Sequence, residues 1–241
     1  MFDKIRNFIA FLVQLVYPGR CPLCDDIVVP FGKTVCTECY RKIRYIRQPV
    51  CNRCGKELGS TEKMLCGDCT KRPHNFTKGR AVFPYDEIAP SLYRFKYAGR
   101  KEYARFYGEE AVRLLGDEIL SWNVDAIIPV PIHISRWRKR GYNQAKEVAK
   151  VMGKKLGIPV LSGLVRRTKK TVPMKVLGLS ERQNNLKKAF HIGRNDVRLK
   201  RVLIVDDIYT TGSTIDAMAD KLRQHAVQDI YFVAIAIGSG V

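Results

Sequence analysis

The stretch Val202-Leu203-Ile204-Val205-Asp206-Asp207-Ile208-Tyr209-Thr210-Thr211-Gly212-Ser213-Thr214 constrains this chain more than any other. A short apolar, mostly β-branched run bounded by turn chemistry fits a strand buried on both faces of a parallel sheet. Open α/β sheets bind ligands at the carboxyl ends of such strands, where Asp206 and Asp207 fall. Adjacent carboxylates there can accept hydrogen bonds from vicinal hydroxyls or stand beside a metal ion. Thr210 to Thr214 follows, with Gly212 permitting close backbone approach, and the next helix carries Ile215, Met218, Ala219 and Leu222 on one face. Amides at a helix start hold phosphate, so the stretch reads as a ribose-phosphate site. The plainer reading is a strand-to-helix turn in which Ser213 or Thr214 caps the helix, and the acids are a solvated strand end or a phospho-receiver pocket. A cap accounts for one hydroxyl and leaves the rest of the run unexplained.

Eight cysteines form four Cys-x-x-Cys pairs: Cys21/Cys24, Cys36/Cys39, Cys51/Cys54 and Cys66/Cys69. Eleven residues separate each pair from the next, so the repeat is fifteen. Each pair can close a knuckle on a tetrahedral zinc ion, and the count gives two four-cysteine zinc sites. No cleavable signal peptide precedes them, and paired thiols in a cytosolic chain of this size bind metal or do redox chemistry rather than form staples. Redox chemistry of the thioredoxin type needs one motif beside a βαβ unit, not four in series. Adjacent pairing, first with second and third with fourth, makes tandem zinc ribbons; an interleaved cross-brace has the same count. The ordinary role of such sites is to hold up a small domain with little core.

The chain has 43 Lys plus Arg against 23 Asp plus Glu, a net charge of +20, which favours a polyanionic partner. Twelve basic residues and two acids lie between Arg166 and Arg201, including Arg182, Lys187 and Lys188. A second cluster, Arg136, Trp137, Arg138, Lys139, Arg140, Gly141, Tyr142 and Asn143, interleaves cations with aromatics. That combination suits unpaired bases of single-stranded DNA, although Trp137 or Tyr142 taken singly has packing as its ordinary role.

With 241 residues, 46% of them hydrophobic, the chain can bury one main core beside a small module. Residues 1–18 contain an amphipathic helix, with Ile5, Phe8, Ile9, Leu12, Leu15 and Val16 at helical spacing before Pro18. It is too short to span a bilayer; it docks on the main domain or lies on a membrane surface with Lys4 and Arg6 toward the head groups. The cysteine module occupies 19–72 and the main domain 79–241. In the main domain, strands are expected over Gly79 to Asp86, Asp125 to Val130, near Val160, and Ile230 to Ile237. Helices are expected over Ile88 to Tyr97, Lys101 to Leu120 and Tyr142 to Leu156. This alternation predicts a parallel α/β sheet. The long polar segment before Phe190 reads as a mobile lid.

Four apolar residues, two acids and Thr-Thr-Gly-Ser-Thr resemble the loop that binds 5-phosphoribosyl 1-pyrophosphate (PRPP) in type I phosphoribosyltransferases. Other segments resemble the ComF family: Leu15-Val16-Tyr17-Pro18, Phe95-Lys96-Tyr97-Ala98-Gly99, Pro129-Val130-Pro131 with the Arg140-Gly141-Tyr142-Asn143-Gln144 run, Arg182 with Asn185, and Ala189-Phe190. Met174 departs from the family pattern, which has glutamine there. Members are associated with natural competence, so the resemblance implies a type I phosphoribosyltransferase-like α/β domain preceded by a zinc-ribbon module.

By the same resemblance, Asp206 and Asp207 hold the ribose hydroxyls of PRPP, Thr210 to Thr214 its 5′-phosphate, and Arg138 and Arg140 its pyrophosphate beside magnesium. Arg136, Trp137, Lys139, Tyr142, Arg182, Lys187 and Lys188 are the expected DNA contacts. Further expected partners are a competence helicase and a peripheral membrane contact at the inner face, for a cytoplasmic chain. Two functions stand open: handling single-stranded DNA during uptake, or phosphoribosyl transfer to a base or amine. Fold alone does not choose between them, and His74, His133, His191 and His225 are scattered without the context of a general base.

Overall fold

A computed structural model describes residues 18–30, 32–59, 63–168, 189–193 and 198–238. The expected first helix, most of the expected lid, Met174, and the candidates Arg182, Lys187 and Lys188 lie outside the described residues. The chain divides between Ile43 and Arg44 into two compact units. The first contains one cysteine cluster and a short helix, α1 (Thr37–Lys42). The second contains the other cluster with α2 (Gly67–Lys71) and the whole α/β fold.

Within the second unit the order is β1 (Lys78–Pro84), α3 (Tyr85–Tyr97), α4 (Tyr103–Ser121), β2 (Ala126–Pro129), α5 (Ile134–Arg140) and α6 (Gln144–Leu156). Next come β3 (Val165–Arg167), β4 (Phe190–Ile192), β5 (Arg201–Tyr209), α7 (Ser213–Gln224) and β6 (Asp229–Ile237). Four strands form a parallel sheet in the order β1-β6-β5-β2. A parallel bridge from Ile127 to Val160 extends it at β2, which is all that forms of the strand expected near Val160. The pair β3–β4 is a separate antiparallel ribbon.

Strands β5 and β6 are central because Val202–Val205 and Phe232–Ile237 are buried without alternation, as a sheet covered on both faces requires. Gly79 on β1 gives the ring of Phe232 its place; a Cβ there would lie inside that ring. Phe76 packs edge-on to Phe232 at 4.9 Å, and Tyr209 stacks on the same ring at 4.7 Å. Burying one such ring contributes up to ~3 kcal/mol. Strand β1 ends at Pro84 rather than Asp86, because Pro84 takes the N-cap position of α3 and Asp86 falls in its first turn.

Candidate functional site

The site is built where β5 passes into α7. Strand β5 continues past the acids to Tyr209, since Ile208 and Tyr209 pair with Ala236 and Ile237 of β6. Gly212 then adopts a left-handed φ of 76° as the N-cap of α7, so Ser213 and Thr214 are the first helical residues. The N-cap is a glycine with no side chain to offer, and Ser213 and Thr214 lie inside the helix, which sets aside the capping explanation of those two hydroxyls. The hydroxyls of Thr211 and Ser213 lie 3.0 Å apart in a shallow concavity lined by Asp206 and Ile208–Ile215. Uncapped first-turn amides and clustered hydroxyls suit an anion.

Consecutive strand residues face opposite sides, so the acids have different surroundings. Asp206 is buried, its Oδ1 accepts the backbone N–H of Asp207 at 2.8 Å, and burial, then the neighbouring Asp207, push its carboxyl up to about 8. Asp207 holds the ammonium of Lys96 at 3.0 Å. Arg167 from β3 adds positive charge near Asp206 and lies 5.5 Å over the ring of Phe190. Lys96 and Arg167 were not expected here from the sequence; the Phe95-Lys96-Tyr97 segment was the one available signal for Lys96.

The cysteines form two sets, Cys21, Cys24, Cys36, Cys39 and Cys51, Cys54, Cys66, Cys69, with the sulfurs of each set all within 4.8 Å of one another. The pairing is tandem, and the cross-brace is excluded. Cys54 and Cys66 sulfurs are 3.7 Å apart, against ~3.8 Å for the edge of a tetrahedron with 2.3 Å zinc–sulfur bonds. Four thiol donors so placed fit zinc. The repeat that folds is twice the fifteen-residue period: Cys21 and Cys51 each start a hairpin knuckle (bridges Arg20–Ile27 and Val50–Glu57), whereas Cys36 and Cys66 each start a helix. In the second set a hydrogen bond from Cys69 draws Cys54 down to about 5, toward the thiolate that ligates metal.

The second ribbon runs directly into the β5–α7 loop. The His74 ring stacks on Phe76 at 4.7 Å, and its Nδ1 meets Oδ2 of Asp216 in the first turn of α7 at 2.8 Å. The other Asp216 oxygen accepts the Asn75 N–H at 2.9 Å, and Arg53 donates to the His74 carbonyl at 2.8 Å. A Cβ on Gly212 would lie 2.7 Å from the Tyr209 hydroxyl and 2.9 Å from the His74 ring. His74 thus supports the loop.

Two family models match the chain: a double zinc ribbon domain over residues 12–70 and a phosphoribosyl transferase domain over 118–238. The chain is 32% identical over 225 residues to Competence protein F of Haemophilus influenzae, covering 90% of each. The chain belongs to the ComF family. It is also 30% identical to DNA utilization protein YhgH of Escherichia coli, over 88% of this chain and 94% of that one. With Competence protein ComFC of Streptococcus pneumoniae it shares 27% identity over 63% of this chain. The zinc-ribbon and phosphoribosyltransferase-like parts of the ComF pattern are those of the structure.

Most of the basic cluster of this ComF chain lies on α5. His133 caps it through Nδ1, and Gly141 ends it at a left-handed φ of 79°. Arg136, Trp137, Arg138 and Lys139 are exposed, Trp137 by 51%. Tyr142 corrects the expected stacking role: it is buried, and its hydroxyl donates to the Phe95 carbonyl, so its ring offers no face to a base. Arg140 is held by Gln144 at 3.1 Å and by the Tyr97 hydroxyl at 3.2 Å. Asn143 donates to the Val130 carbonyl at 2.9 Å, tying the start of α6 to the end of β2. No described helix is long and apolar enough to cross a membrane.

Proposed function

We propose that this chain handles single-stranded DNA during DNA uptake and binds PRPP with magnesium in its α/β unit. Relatives named for competence and for DNA utilization support the first part. The observation that carries the reading is a chain of contacts joining the cationic helix α5 to the acids: Arg140 to Tyr97, and the adjacent Lys96 to Asp207. Asp207 and Asp206 would hold ribose hydroxyls, and the first-turn amides of α7 the 5′-phosphate. Arg138 and Arg140 would face the pyrophosphate, whose charge magnesium offsets. Reduced thiols and zinc suit a cytoplasmic location.

Phosphoribosyl transfer is the second reading, for which the loop itself speaks. Against it, two of the nearby acid–base groups are engaged: His74 by Asp216, Asp207 by Lys96. The test is fluorescence anisotropy of a labelled oligonucleotide, single-stranded against duplex, across a salt series and with or without PRPP and magnesium. Log affinity for the single strand should fall linearly with log salt. Asp207→Asn should weaken PRPP binding about tenfold or more by calorimetry, with the fold intact. No single-strand binding at moderate salt overturns the DNA assignment; unchanged PRPP affinity in Asp207→Asn overturns the ligand assignment.

A further inference from the structure

We infer that Tyr93, Tyr97 and Arg140 form a ladder of ring and cation contacts that takes an unpaired DNA base on the outer ring, that of Tyr93; the inference rests on the single-strand reading above. Helix α3 buries Ile88, Leu92 and Phe95. Its opposite side presents two large rings, Tyr93 exposed by 64% and Tyr97 by 51%. Four residues apart, they share a helix face, with ring centroids 5.0 Å apart and planes tilted by 50°. Burial in the core does not use these rings, and two adjacent exposed aromatics are unusual without a partner.

The ladder is fixed from its far end. The guanidinium of Arg140 lies 4.9 Å over the Tyr97 ring and donates to its hydroxyl at 3.2 Å, while Gln144 holds the same guanidinium at 3.1 Å. Tyr97 is therefore braced between Arg140 and Tyr93, and Tyr93 is the outermost plane. A base stacking on the open face of Tyr93 meets a ring already packed against the braced Tyr97, so little side-chain freedom is lost. Trp137, three residues before Arg140, shares its helix face, and exposed Arg136, Arg138 and Lys139 supply the charge that tracks a phosphate backbone. Duplex bases are already stacked on each other, so the ladder selects single strands.

The experiment uses the zinc-loaded full chain and a labelled oligothymidine, with an equally long duplex alongside. Tyr93→Ala should weaken single-strand binding about tenfold, leaving the duplex affinity and the salt slope unchanged, because no phosphate contact is lost. Tyr93→Phe should bind like the parent, and Lys139→Ala should instead lower the slope. Tyr93 is exposed, and a melting temperature within error of the parent verifies the fold. If the parent binds the single strand and Tyr93→Ala binds equally well, the ladder is refuted and the DNA assignment stands. If the parent binds no single strand, both fail. Equal loss on single strand and duplex also overturns the ladder.

Discussion

Replacing Asp206 by Asn should stabilise the protein, and increasingly so as pH rises. Burial, then the adjacent Asp207, hold the folded carboxyl at about 8, against an ordinary 3.8. The folded state therefore keeps a proton that the unfolded chain gives up between about pH 4 and pH 8, and stability falls as pH rises through that window. At ~1.4 kcal/mol per pH unit, the cost reaches about 2 kcal/mol at pH 5, about 4 at pH 7 and about 5 at pH 8. Asn has the shape of the protonated acid, can accept the Asp207 N–H through Oδ1, and never ionises. For a chain of this size the gain in melting temperature should grow from roughly 5 °C at pH 5 to roughly 15 °C at pH 8. Thermal unfolding of the zinc-loaded parent and Asp206→Asn across pH 5 to 8 measures the difference, which cancels the titrating groups that do not interact with Asp206. A difference that is flat or shrinks with pH refutes a proton-holding Asp206.

Gly212→Ala places a Cβ against the Tyr209 hydroxyl and the His74 ring at a φ of 76°, so it should cost about 1–3 kcal/mol in thermal unfolding and weaken PRPP binding; an unchanged melting temperature defeats this account. Cys54→Ser should lower zinc content and speed amide exchange across Tyr209 to Asp216, because the exit of that ribbon holds Asp216 through His74 and Asn75. Normal exchange in that segment with zinc lost would separate the ribbon from the loop.

The sheet and the loop were legible because their signals are local. Val202–Val205 has no polar alternation to place it anywhere but between two covered faces, and glycine at position 212 marks the turn. The cysteine count was equally plain, yet its evenness hid the two kinds of half-site, since fifteen-residue spacing does not distinguish a hairpin from a helix start. Contacts between distant segments were not legible. His74 and Asp216 are 142 residues apart, and nothing in either neighbourhood names the other. Tyr142 failed for a local reason that could have been caught. Gly141 breaks the helix, so the chain changes direction between Trp137 and Tyr142, and one ring stays on the surface while the other enters the core.

The pairing of Lys96 with Asp207 narrows what the site can hold. Lys96 is only 15% exposed, and its charge is balanced in place by the Asp207 carboxylate. A ligand hydroxyl that took over Asp207 would strand a largely desolvated ammonium, a cost of several kcal/mol for a buried charge that loses its partner. A bare nucleoside offers hydroxyls to Asp207 and nothing to Lys96. An inorganic anion satisfies Lys96 and leaves Asp207 facing negative charge. A sugar that carries both vicinal hydroxyls and a phosphate answers both side chains together, and the uncapped amides of α7 favour a second anion one loop away. Under the proposed reading, a ribose bearing anions at both ends would answer Lys96, Asp207 and the α7 amides together.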